Sequence, residues 1–129
     1  MSPLTNHKAR LYNLEKLYGI EHKDANFVKE VLMLFLNTIP AISDELVKAA
    51  NEKKWDQVYF LAHKMKANID LLNIESLKKE IRVVEESTKT KNNLDNISDK
   101  VKFINSIIEQ CANQIKEDFD GKTFKQVNR

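Results

Sequence analysis

Apolar residues recur along most of this chain at steps of three and four, the spacing of one face of a helix. The first such stretch, about residues 6 to 18, carries Leu11, Leu14, Leu17 and Tyr18 and stops at Gly19, a residue suited to a helix C-terminus. The second opens after Asp24 as N-cap and holds Phe27, Val28, Val31, Leu32, Leu34, Phe35, Leu36 and Ile39, too wide an apolar surface for a single contact. Pro40 has no N–H for the carbonyl four residues back, which predicts a kink or break near Asn37 to Ile39. Ile42, Leu46, Val47 and Ala49 then resume the period, so the stretch reads as one long bent element ending near Asn51. The third runs from about Lys54 to Leu72, with Val58, Leu61, Ala62, Met65, Ile69 and Leu72 on one side. Asn73, able to adopt left-handed backbone, separates it from the fourth, about Ile74 to Ser87, where Leu77, Ile81 and Val84 point inward.

The polar run TKTKNNLDN, residues 88 to 96, reads as the best loop in the chain. Beyond it Leu94, Ile97, Val101, Ile104, Ile108, Cys111, Ile115 and Phe119 form a long seam that suits either a bundle wall or a coiled-coil dimer. After Gly121 the residues KTFKQVNR show no partner pattern and read as a frayed tail. Amphipathic helices joined by short connections predict an all-α fold, an antiparallel up-and-down four-helix bundle with a short additional N-terminal helix. The corresponding division is residues 1–23 for the N-terminal helix and its connection, 24–120 for the bundle and 121–129 for the tail.

Composition narrows this picture. A chain of 129 residues with two glycines and two prolines has few of the residues that build tight turns, which excludes barrels and sandwiches. Lys and Arg number 21 against 19 Asp and Glu, and the signs are interleaved, so charge gives no support to nucleic-acid binding. No long uninterrupted apolar run and no secretory leader is evident, so the expectation is a soluble cytoplasmic protein, without membrane attachment and most simply a monomer. Cys111, the single cysteine, falls on the apolar stripe of the last helix and reads as a small buried hydrophobe. No metal-ligand spacing and no cofactor motif occurs.

The chemistry worth following lies on the third helix. At 100° per residue its apolar positions fall within roughly 50° of one direction, and His63 lies about 140° away, facing water. Tyr59 and Lys66 stand at the edges of that outward side, Ala67 and Asp70 lie close to the direction of His63, and Phe60, Lys64 and Leu71 complete the other flank. Phe60 and Leu71 are apolar groups pointed away from the expected core, and an apolar rim around a polar centre is the composition of a docking site. A neutral imidazole is a good nucleophile near neutral pH, and attack on a phosphoryl group needs nearby positive charge, which Lys66 supplies one turn on. Ala67 leaves room above the ring for another protein's active site. His7 and His22 have no complementary cluster and read as surface residues, Trp55 as a packing residue, and the lysines from Lys78 to Lys91, alternating with glutamates, as a solvated face.

The run Leu61-Ala62-His63-Lys64-Met65-Lys66-Ala67-Asn68 resembles the histidine-containing phosphotransfer (HPt) motif: alanine, histidine, any residue, leucine, lysine, glycine. The resemblance covers about residues 24 to 88 and extends to Phe35 and Pro40, Leu46 and Ala50, and Trp55 and Asp56. Met65 stands in place of the family's leucine, Ala67 in place of its glycine, and Asn73 in place of a glycine at the following turn. The resemblance implies a four-helix-bundle phosphocarrier, not itself an enzyme. His63 would accept a phosphoryl group from an aspartate of one receiver domain and pass it to an aspartate of another. Its partners would be receiver domains of response regulators and of a hybrid sensor histidine kinase, which would also supply the catalytic groups and Mg²⁺. The resemblance further implies that Glu85, twenty-two residues past the histidine where several members carry glutamine, orients the ring. The reading from a different class is a helical adaptor or scaffold that keeps the fold without carrying phosphate. A small enzyme acting through Glu and His finds no paired carboxylates or ordered triad.

Overall fold

The computed structural model describes residues 10–19 and 25–119. His7, His22, the Asp24 cap, the start of the expected first helix and the C-terminal tail lie outside the described residues. Within them the chain is helical, with no strand: α1 (Glu15–Gly19), α2 (Ala25–Asn51), α3 (Trp55–Leu71), α4 (Glu75–Thr90), a 3₁₀ turn (Leu94–Asn96) and α5 (Ile97–Phe119).

The inward stripes are those the periodicity marks. Val28, Leu32, Phe35, Ile39 and Leu46 of α2, Val58, Leu61, Met65 and Ile69 of α3, Leu77, Ile81 and Val84 of α4, and Val101, Ile104, Ile108, Cys111 and Ile115 of α5 join one buried cluster. Each fully buried Leu, Ile or Phe contributes on the order of 1.5 to 3 kcal/mol before chain entropy is set against it. α3 packs against α2 and α4, and α5 packs against α2 and α4, so each long helix has two long-helix neighbours. That is why α2 needs an apolar surface wider than a stripe, though Leu34, counted in that surface by its spacing, is 62% exposed and lies outside the core. By length and composition α2 is also apolar enough to cross a membrane; here its stripe from Val28 to Ala50 packs in the core. α2 runs through Pro40 to Asn51 as one element, and the buried Ser43 hydroxyl donates to Asn105 Oδ1 of α5 at 2.7 Å.

Two element boundaries differ from the sequence expectation. Residues 10–14 are not helical, because their backbone donors are taken by distant acceptors: Leu11 N–H donates to Gln114 Oε1 at 2.8 Å and Asn13 N–H to the Leu72 carbonyl at 2.8 Å. Asn13 Oδ1 instead accepts from the Glu15 amide at 2.8 Å and starts the short α1 there. This N-terminal strap ties the end of α5 to the α3–α4 turn. Arg10 pairs with Asp118 at 2.6 Å, the Tyr12 hydroxyl donates to the same carboxylate, and Leu17 is fully buried. Burial and the Asp118 hydrogen bond push the Tyr12 hydroxyl pKa well up.

The second difference is at the end of α4, which continues to Thr90 and shortens the expected loop to residues 91–93. Thr88 is buried there because its hydroxyl donates to the Val84 carbonyl at 2.7 Å, leaving no polar group unsatisfied. Leu94, assigned to the last helix by periodicity, sits instead in the 3₁₀ turn, half-buried against the core.

Among the described residues, the connections between the long helices close without glycine. After α2, Lys54 N–H donates to the Ala49 carbonyl and Lys53 N–H to that of Ala50, with Lys53 at φ 58°. After α3 the same pair of bonds runs from Ile74 to Ile69 and from Asn73 to Asp70, with Asn73 at φ 52°. Asn73 thus takes the left-handed conformation expected of it, and the tight turn lays α4 back along α3.

Candidate functional site

The α3–α4 turn brings together residues that lie at similar distances from it on either side. His63 on α3 and Glu85 on α4 form one such pair, and Nδ1 of the ring lies 2.6 Å from Glu85 Oε2. Lys66, one turn along α3, places Nζ 2.8 Å from the other oxygen, Glu85 Oε1. Burial alone would push the Glu85 carboxyl up, but the hydrogen bonds from Lys66 and His63 outweigh it and hold the pKa below the ordinary glutamate value.

That ionised carboxylate fixes the ring's tautomer. A carboxylate only accepts, so Nδ1 must carry the proton, and in the neutral ring the lone pair sits on Nε2. The His63 side chain is 56% exposed while that of Glu85 is 13% exposed. The proton-bearing edge therefore meets the protein, and the ring is open to solvent as its azimuth predicts. Chemically the arrangement offers an accessible nucleophilic nitrogen, a retained proton on the opposite nitrogen, and an ammonium within one turn.

The remaining residues of the expected docking face divide into two groups. Tyr59 is half-buried and stacks on His63, with centroids 6.0 Å apart and planes inclined by 23°. Phe60 is 57% exposed, with Lys64 Nζ 5.3 Å from its ring centroid. Ala67 is exposed, as the approach to the ring requires. Tyr59 thus touches the imidazole, while Phe60, Lys64 and Ala67 are exposed positions within about one turn of it on α3.

Asp70 and Leu71 stand differently. Asp70 is engaged by Arg82 at 2.7 and 3.2 Å, and that guanidinium holds its carboxyl below the usual aspartate range. Leu71, expected to point into solvent, is half-buried and packed against the core. The strap explains the change: Asn13 is bonded to the Leu72 carbonyl and Lys16 Nζ to that of Asp70 at 3.2 Å, so this end of α3 is already covered.

Arg82 is the residue that sequence reasoning missed. Distance from the Asn73 turn gives no signal for it, since Asp70 lies close before the turn and Arg82 more than two helical turns after it; the pair meets because the guanidinium leans back along α4, where it also donates to the Lys78 carbonyl at 3.0 Å. A cleft of about 720 Å³ lined by Lys16, Asp70, Lys78, Lys79, Arg82 and Glu86 lies beside this pair and does not include His63. Among the described residues no group of three or more His, Cys, Asp and Glu side chains is placed to hold a metal ion. No protein-family model matches the chain, and comparison with curated proteins and with solved structures finds no match.

Proposed function

We propose that this protein is a histidine phosphotransfer protein of the HPt type, a carrier in a multistep phosphorelay that accepts a phosphoryl group on His63 and passes it on. The observation that carries this reading is the exposed ring with its Nδ1 proton bound to an ionised Glu85. An outward-facing imidazole held in one tautomer suits a nucleophile, and Ala62, His63 and Lys66 keep the alanine, histidine and lysine of the motif it resembles, with Met65 and Ala67 in place of the leucine and glycine. The proposed architecture is an antiparallel up-and-down four-helix bundle of α2 to α5 with α1 and its strap across one end. The neighbour relations among the helices and their short connections support that arrangement.

The Nε2 lone pair attacks phosphorus of an aspartyl phosphate, the N–P bond forms as the P–O bond breaks, and the carboxylate departs. The Nδ1 proton stays on the ring, now a phosphoimidazolium whose positive charge faces Glu85. In the onward step the receiving aspartate attacks phosphorus, and the ring leaves as neutral imidazole, a good leaving group because it kept that proton. Lys66 places positive charge beside the transferred oxygens. The partners proposed are receiver domains of response regulators and of a hybrid sensor histidine kinase. Their acidic pockets and Mg²⁺ supply the catalysis, and this chain is a carrier and not an enzyme. The proposed setting is the cytoplasm, with Phe60, Lys64, Ala67 and Tyr59 forming the docking rim and no nucleic acid or membrane involved.

Incubation with phosphorylated receiver domains tests the reading. Acid-labile, alkali-stable label is expected on the wild-type chain and none on His63→Gln. A chain that takes no label from any receiver, or takes it equally in the variant, would overturn the carrier role and favour the adaptor that keeps the fold alone.

A further inference from the structure

Glu85 fixes one atom of the His63 ring, and one hydrogen bond sets a distance without setting a plane. Rotation of the ring about that contact would swing Nε2 through a wide arc. A second contact removes the freedom. Side chains on a helix lean over the preceding turn, and the residue one turn before His63 is Tyr59, half-buried and stacked on the imidazole at 6.0 Å with planes 23° apart. A centroid separation in this range is that of a favourable offset pair.

We infer that Tyr59 is a positioning residue for His63: its ring sets the plane of the imidazole, screens one face and, together with Glu85, presents Nε2 along a single approach. This inference deepens the carrier reading above and rests on it for its purpose, since the geometry itself makes no reference to phosphate. Tyr59 is then a wall of the nucleophile's own seat as well as part of a rim for the partner. A partner would meet the ring from the open side, toward Ala67.

The test compares Tyr59→Leu and Tyr59→Phe with the wild-type chain, using ring ¹⁵N spectroscopy of His63 and phosphoramidate as a small phosphodonor. In that reaction Nε2 bonds to phosphorus while the donor's P–N bond breaks and ammonia leaves. The wild-type chain and Tyr59→Phe are expected to show one tautomer, protonated at Nδ1, and equal phosphorylation rates. Tyr59→Leu is expected to keep that tautomer, which Glu85 sets, but to show increased ring mobility in ¹⁵N relaxation and about three- to tenfold slower phosphorylation, the range that loss of one aromatic stack predicts. Equal behaviour of Tyr59→Leu and wild type would overturn the inference, and so would a Tyr59→Phe variant as impaired as Tyr59→Leu. Should Tyr59→Leu not fold, nuclear Overhauser contacts between the two rings in the wild-type chain decide: their absence overturns it. No receiver takes part in these measurements, so a chain that passes them yet takes no label from receivers loses only the carrier reading.

Discussion

Glu85 accepts from His63 with one oxygen and from Lys66 with the other, and its pKa lies below the ordinary 4.5. A carboxyl depressed on folding stabilises the native state above its unfolded pKa, and that contribution is lost as pH falls through the folded value. Glu85→Gln should therefore melt below wild type at neutral pH, with the gap closing as pH falls through and below the ordinary glutamate range. Thermal melts across that range check it, and a constant gap would refute the assignment. Asp70, lowered by Arg82, shares the sign but is present in both chains and cancels in the comparison. The His63–Glu85 pair was legible in the sequence because motif and turn agree on the register. The fate of Asp70 was not, because helical azimuth describes one helix and says nothing of a guanidinium arriving from the next. Leu71 was misread for a related reason: the segment that covers its end of α3 comes from the far N-terminus.

Among the elements, the connections are where the chain accepts conformational cost. Lys53 and Lys91 hold φ of 58° and 60°, a region crowded by Cβ. Lys53 is exposed, so Lys53→Gly removes that crowding without opening a cavity. The expected gain is about 0.5 to 1 kcal/mol, read as a raised urea midpoint at unchanged slope. An unchanged or lowered midpoint would mean that the backbone there is not under strain. The long helices were legible from periodicity alone, since burial enforces it. Their ends were not, because local bonds set them: the left-handed Lys91 closes α4 by letting the Lys91 and Asn92 amides reach the Ser87 carbonyl, and Asn13 on Glu15 delays α1. Hydrophobic period carries no record of these bonds.

At the scale of the whole molecule, the strap joins the two ends of the chain's described part. Asp118 receives both Arg10 and the Tyr12 hydroxyl, so Asp118→Ala leaves a mostly buried phenol without its acceptor. A loss of about 1 to 3 kcal/mol is expected, with faster hydrogen exchange at the Leu11 and Asn13 amides, the two that the strap donates to Gln114 and Leu72. Unchanged protection at those amides would show that the strap is held by apolar packing alone. On the carrier reading proposed above, labelling of His63 by receivers should be untouched, because the strap's bonds to α3 go to the Asp70 and Leu72 carbonyls and not to His63, Glu85 or Lys66. Cys111 has its sulfur sealed in the core, where burial pushes the thiol pKa up to about 12. Thiolates, not thiols, react with alkylating reagents. The single thiol therefore behaves as a tamper seal: a maleimide that marks it records a moment when α5 had parted from its neighbours, and the marking rate clocks how often the native molecule opens.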